Sequence, residues 1–204
     1  MTNKFLNLGS KKQTMKKLFL LATLWITNSF QAQVTTVVSA FTQNLTKNDL
    51  PFQGDRKMFA TGINDTRTEN VLVVSKNKSG AANDELFIEK FTKTPDGYTK
   101  SFSTVFTHPV NKSLAFVNNR MMYSDADRDG NAEMLLVVDE NEAGPESPLQ
   151  KVWGVLVYKN VVYKLWVTAE DNFTETKYDA DFETLPEKIK KDFLAFWGKL
   201  DKAN

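Results

Sequence analysis

Cysteine is absent from the 204-residue chain, and histidine occurs once, at His108. Without cysteine there is no disulfide staple, no lipid-modified cysteine behind a leader, no thiolate nucleophile and no thiolate-bound zinc. A single histidine cannot build a three-histidine zinc site. Set in "THPVN", with no Gly-x-Ser-x-Gly elbow in the chain, it also lacks the partners of a Ser/His/Asp triad, so a solvated loop residue is expected there. Gly-x-Gly-x-x-Gly and phosphate-loop motifs are missing as well. Beyond residue 32, no apolar run approaches the roughly 18 residues that a helical membrane span needs.

The first 32 residues hold Lys4, Lys11, Lys12, Lys16 and Lys17 and no acid. From Met15, "MKKLFLLATLWITNSFQAQ" runs from a basic start through an apolar core at 18–27 to small and polar residues, the layout of a secretory signal peptide. That core rises about 15 Å as a helix against a hydrocarbon thickness of about 30 Å. Cleavage is therefore expected, after Ala32 or alternatively after Ser29. Residues 1–14 lengthen the basic region, and Met15 followed by two lysines would itself make an ordinary start. Residues 33–204 then form one exported domain, periplasmic, cell-surface or extracellular, with no membrane anchor after cleavage. Removing the five leader lysines from 26 Lys and Arg leaves 21 against 25 acids, a net charge of −4. That argues against nucleic acid, because no basic stripe remains to neutralise phosphates.

What the chain does contain is 41% apolar and 12% aromatic residues, enough to fill a core. A repeat emerges at an offset of 64 residues: "ENVLVVSKN" at 69–77 lies against "EMLLVVDEN" at 133–141, with Asp65 and Asp129 four residues before each glutamate. At the same offset Lys100 meets Lys164 and Phe102 meets Trp166. The two units span 58–106 and 122–170, each reading as loop, buried strand, connection and hairpin. Pro95-Asp96-Gly97 and Lys159-Asn160 supply turn chemistry between runs of strand composition. Loops are expected at 43–56, 75–84, 107–119 and 140–149. Tyr98, Trp153 and Trp166 fall in strand patterns, where packing on a sheet is expected ahead of stacking on a sugar.

After residue 171 the period changes. Leu185, Ile189, Phe193, Phe196, Trp197 and Leu200 recur at helical spacing over 185–200. Thr184 with Glu187 reads as a capping box, and Pro186 falls in the first turn. The expected fold is mainly β with some α: an antiparallel sheet of two hairpin-bearing, propeller-blade-like units, covered by this C-terminal amphipathic helix.

The stretch "YSDADRDGNAEMLLVV" at 123–138 concentrates the chemistry. Oxygen ligands at alternate positions suit a hard cation such as Ca2+, which takes six to eight oxygens at about 2.3–2.6 Å. Asp125, Asp127 and Asp129 offer side-chain oxygens, Asn131 its backbone carbonyl, Gly130 the turn and Glu133 the closing carboxylate. An EF-hand is excluded, since its twelfth position is Leu136 here and the flank is of β type. The alternative is a metal-free turn in which the aspartates cap backbone N–H groups, leaving four carboxylates to repel one another. The cognate segment "TGINDTRTE" at 61–69 keeps Asp65 and Glu69 but carries Thr61 and Ile63 at ligand positions.

"DADRDGNAE" followed by "MLLVV" resembles the calcium loops of FG-GAP and VCBS repeats, the integrin-type propeller modules. In those an Asp-x-Asp-x-Asp-Gly-x-x-Asp loop leads straight into a buried strand. Two positions depart from the pattern: Arg128 stands where glycine is frequent, and Glu133 where aspartate is usual. More distantly, "ESPLQKVWGVLVYKNVVYKL" and the terminal helix resemble a family of small secreted Gram-negative proteins often labelled surface polysaccharide biosynthesis proteins. These resemblances imply an exported, calcium-stabilised, non-catalytic binding or accessory protein of the envelope, with a surface glycan or envelope protein as partner. An enzyme of surface polysaccharide metabolism is the alternative. Its two carboxylates are not singled out among 25 acids.

Overall fold

A computed structural model describes residues 39–42, 44–66, 68–109 and 112–202. The expected leader, its expected cleavage bond and the alternative start at Met15 lie outside the described residues. The chain is mainly β. One antiparallel sheet runs in order through β1 (Ser39–Thr42), β2 (Arg56–Asn64), β3 (Glu69–Lys76), β4 (Asn83–Thr94) and β5 (Gly97–Pro109). The second contains β6 (Ser113–Phe116), β7 (Met122–Ser124), β8 (Glu133–Asn141), β9 (Leu149–Tyr158), β10 (Val161–Thr168) and β11 (Lys177–Tyr178). Its order is β11-β10-β9-β8-β6, and β7 also pairs with β8. Two short 3-10 turns (Ala169–Asp171 and Ala180–Thr184) lead to helix α1 (Glu187–Trp197).

The central strands β3 and β8 read as unbroken apolar runs because both of their faces are covered. Alternate side chains serve opposite layers. Leu72, Val74, Met134, Leu136 and Val138 meet in the core between the two sheets, with Phe102, Phe106, Val155 and Val157. On the far side of the first sheet, Val71 and Val73 lie with Leu50, Phe52 and Phe91. On the far side of the second, Leu135 and Val137 pack with Ile189, Phe193 and Trp197 of α1.

Both hairpins form where turn chemistry predicts them. Lys159 and Asn160 take φ of 49° and 62°, the paired left-handed conformation of a type I′ turn, and Gly97 takes φ of 121°. Strand bounds recur at the 64-residue offset: β3 and β8 start at Glu69 and Glu133, and β5 and β10 at Gly97 and Val161. Register does not follow throughout. A bulge between Lys90 and Phe91 shifts the β4–β5 pairing. Lys100 therefore pairs with Glu89, whereas Lys164 lies over the Phe106 ring on the face toward the other sheet.

Three local expectations are corrected. The loop expected at 107–119 contains the end of β5 and all of β6. His108 is consequently a strand residue with only 18% of its side chain exposed, and its Nε2 lies 3.1 Å from Glu140 Oε2 across the two sheets. The capping box is not made: Thr184 Oγ1 donates to the carbonyl of Asp181, and Pro186 is the N-cap, with no side-chain cap. The helix begins only at Glu187 because the preceding 3-10 turn takes residues 180–184, capped by Asp179, whose side chain accepts from the Phe182 amide.

The apolar stripe otherwise seats as expected, with Leu185, Ile189, Phe193 and Trp197 buried. Gly154 on β9 lets the helix approach: a Cβ there would sit 2.7 Å from Leu165 Cδ1 and 3.0 Å from Trp197 Cζ3. No helix among the described residues is long and apolar enough to cross a membrane.

Candidate metal centre

The acidic loop connects β7 to β8. These strands pair antiparallel, with Ser124 opposite Glu133 and Tyr123 opposite Met134, so the ends of the loop are held side by side. Within it, Arg128 and Gly130 take φ of 61° and 87° and turn the chain back on itself. Positive φ is the reason glycine suits both positions. Arginine at 128 adopts the conformation with its side chain exposed.

The loop folds around its own carboxylates. Asp125 Oδ2 accepts from Gly130 N at 3.1 Å, Asp127 Oδ1 from Asp129 N at 3.2 Å, and Asp129 Oδ1 from Asn131 N at 2.8 Å. Glu133 is buried, and its Oε2 accepts from Ala126 N at 2.7 Å. One oxygen from each of Asp125, Asp127, Asp129 and Glu133 lies within 4.8 Å of all the others. Among the described residues this is the one such cluster.

The spacing fits a cation. Oxygens on opposite sides of an ion at about 2.3–2.6 Å are about 4.6–5.2 Å apart, so a set confined to this span can share one centre. Asp125 Oδ1 is buried and has no hydrogen-bond donor among the described residues. Burial pushes the Glu133 carboxyl up to about 7, against the Ala126 amide, and the charges of Asp127 and Asp125 add to the rise. Every donor atom is oxygen, which suits hard divalent cations over zinc or copper. Asn131 braces the set, since its amide N–H and its Nδ2 both donate to Asp129 Oδ1.

Two neighbours were not legible in the local pattern. Tyr158 Oη donates to Asp127 Oδ2 at 2.9 Å, and Lys159 Nζ reaches Asp129 Oδ2 at 2.9 Å and Asp127 Oδ2 at 3.7 Å. Burial alone would raise the Asp129 carboxyl, but hydrogen bonds from Lys159 and Asn131 outweigh it and hold the group below its usual range. The register that sets Met134 opposite Val157 brings this hairpin tip to the loop.

The cognate segment arrives from the other sheet: Thr66 Oγ1 donates to the Gly130 carbonyl at 3.1 Å, and Asp65 Oδ2 accepts from Ala132 N at 3.3 Å. Asp65 also accepts from Thr68 N at 2.7 Å, so it serves as a turn cap and as a brace for the acidic loop.

A groove of about 610 Å³ opens between the loop and α1, lined by Ser124, Asp125, Ala126, Arg128, Lys188 and Asp192 among others. Comparison with known protein families, with curated proteins and with solved structures yields no match.

Proposed function

We propose that the loop holds Ca2+ and that the chain is an exported, calcium-stabilised, non-catalytic binding or accessory protein of the cell envelope. The observation that carries this reading is the convergence of Asp125, Asp127, Asp129 and Glu133 oxygens within 4.8 Å. Four carboxylates are a costly arrangement in an otherwise ordinary turn, and a divalent cation offsets their repulsion. Calcium is favoured over magnesium because its coordination is irregular and oxygen-rich, whereas magnesium demands near-ideal octahedral geometry at about 2.0–2.1 Å. The Asn131 carbonyl and water complete the ligand set. The FG-GAP/VCBS-like order of aspartates, glycine and a following strand supports the same ion, and the basic-then-apolar leader supports export.

Calcium acts here as a staple. It binds the folded loop and ties the β7–β8 connection, which also carries the contacts to Thr66 and Lys159. Binding to the folded state alone stabilises by RT ln(1 + [Ca]/Kd), about 2.7 kcal/mol at a hundredfold excess over Kd. Thermal unfolding of the mature chain in calcium and in chelator tests the reading. A higher Tm in calcium, abolished by Asp127→Ala, supports it, and superimposed curves for the wild type would refute it.

The Lys159–Asp129 pair favours a second reading, in which the lysine closes the loop without metal. The surface partner in either case is a glycan or an envelope protein.

A further inference from the structure

The strip of sheet beyond β5 carries a second cluster, remote in sequence from the acidic loop. Strand β5 is the last of its sheet, and its Phe106 packs edge-on against Trp153 at 5.8 Å. Past that contact the same face continues over β9, β10 and β11. Register puts Trp153 opposite Trp166, Lys151 opposite Thr168, and Trp166 opposite Lys177. The two tryptophan rings lie 5.3 Å apart and tilted by 49°.

Lysines surround them. Lys151 Nζ lies 3.5 Å from the Trp153 centroid and 4.7 Å from that of Trp166, and Lys164 Nζ lies 4.8 Å from the Phe106 centroid. Lys112 and Lys177 complete the group. Of the nearby acids, Glu140 accepts from Lys112 and Trp153 and lies 3.1 Å from His108 Nε2, Asp171 pairs with Lys177, and Glu170 is exposed at the rim. Lys151 and Lys164 have no carboxylate partner among the described residues. Burial, and then repulsion from Lys112, Lys177 and Lys164, lower the Lys151 ammonium against the pull of Glu140. Beside them a cavity of about 280 Å³ is lined by Lys112, Glu140, Gln150, Lys151 and Thr168 among others.

We infer that this face binds an acidic sugar, a hexuronate unit of a polysaccharide, with its carboxylate between Lys151 and Lys164 and its apolar ring face against Trp166. The inference rests on the reading of the chain as a binding protein and supplies its ligand class, on residues separate from the metal centre. Charge complementarity selects an anion, since a carboxylate supplies the missing partner to two lysines. The half-buried tryptophan pair selects a ligand with a flat apolar face. A phosphate-tracking nucleic acid fits less well, because such binding draws on about 6–10 phosphate contacts.

The test is calorimetric titration of the mature chain, in chelator, with an α-1,4-linked galacturonate tetramer, its methyl ester and an oligothymidylate. Saturable binding of the acid is expected. Binding of the ester, or of the acid to the Lys151→Gln/Lys164→Gln variant, should be weaker by about tenfold or more, since hydrogen bonds to a charged group are involved. The variant should still unfold in one cooperative transition, and Asp127→Ala should bind the acid like the wild type. No binding of the acid, equal binding of its ester, indifference to the lysine changes or tighter binding of oligothymidylate would overturn the inference. Loss of uronate binding with the calcium shift intact removes this site alone, and the converse result removes the metal reading alone.

Discussion

Lys159 Nζ sits 2.9 Å from Asp129 Oδ2 and 3.7 Å from Asp127 Oδ2, so the β9–β10 hairpin places a cation beside two of the acidic loop's four carboxylates. On the proposed reading, the lysine and a metal ion draw on two of the same carboxylates, Asp127 and Asp129. Hydrogen bonds with Tyr158 and then Asp129 raise the Lys159 ammonium, which stays charged at any working pH. Lys159→Met should tighten calcium binding several-fold while lowering the Tm of the metal-free protein. Titration calorimetry of both proteins decides this. A variant that loses stability in chelator and shows no calcium affinity in either form would establish the lysine as the sole clamp.

Glu133 should make the metal-free protein sensitive to pH. Its carboxyl rises from an ordinary 4.5 to about 7, chiefly through burial. The folded state therefore binds this proton more tightly than the unfolded chain does. The contribution is fully present below about pH 4.5 and is lost as pH rises through 7. In chelator, the Tm difference between wild type and Glu133→Gln should change across that window, with the wild type losing ground as pH rises. Calcium should reverse the trend, because the metal requires the ionised carboxylate. A pH-independent difference would show that Glu133 ionises normally.

Asp65→Ala should keep the calcium response that Asp127→Ala abolishes. It removes a turn cap and one brace to Ala132, not a ligand. A loss of about 0.5–2 kcal/mol, typical of a lost cap, is expected with and without the ion. Paired denaturant curves in calcium and chelator measure both terms. Disappearance of the calcium increment would place Asp65 among the ligands.

Helix α1 is a core element. Phe193 is fully buried against the second sheet, and Phe193→Ala should cost about 3–5 kcal/mol in urea unfolding. Gly154→Ala should cost about 1–3 kcal/mol, since the added methyl meets Leu165 and Trp197. Ending the chain before Leu185 should leave an unfolded or aggregating product. A truncated chain that stays monomeric with unchanged Tm would show that the second sheet needs no cover.

The sequence by itself determined what depends on near neighbours. The helical stripe of Leu185, Ile189, Phe193 and Trp197 follows from a period of 3.6 residues, and the apolar runs of β3 and β8 from burial on two faces. The hairpin turns follow from the residues at their tips, and the acidic cluster from oxygens at alternate positions closed by Gly130. Tertiary structure alone decided which distant groups meet them. Lys159 reaches Asp129, Thr66 reaches Gly130, and His108 reaches Glu140 because of strand order, register and the stacking of one sheet on the other. No local period encodes those choices, because a slip of one residue turns every side chain of a strand to its opposite face. The bulge at Lys90 makes such a slip. It turns Lys100 to the far face, over the Phe91 ring, whereas its counterpart Lys164 lies on the face that Trp153 and Trp166 share.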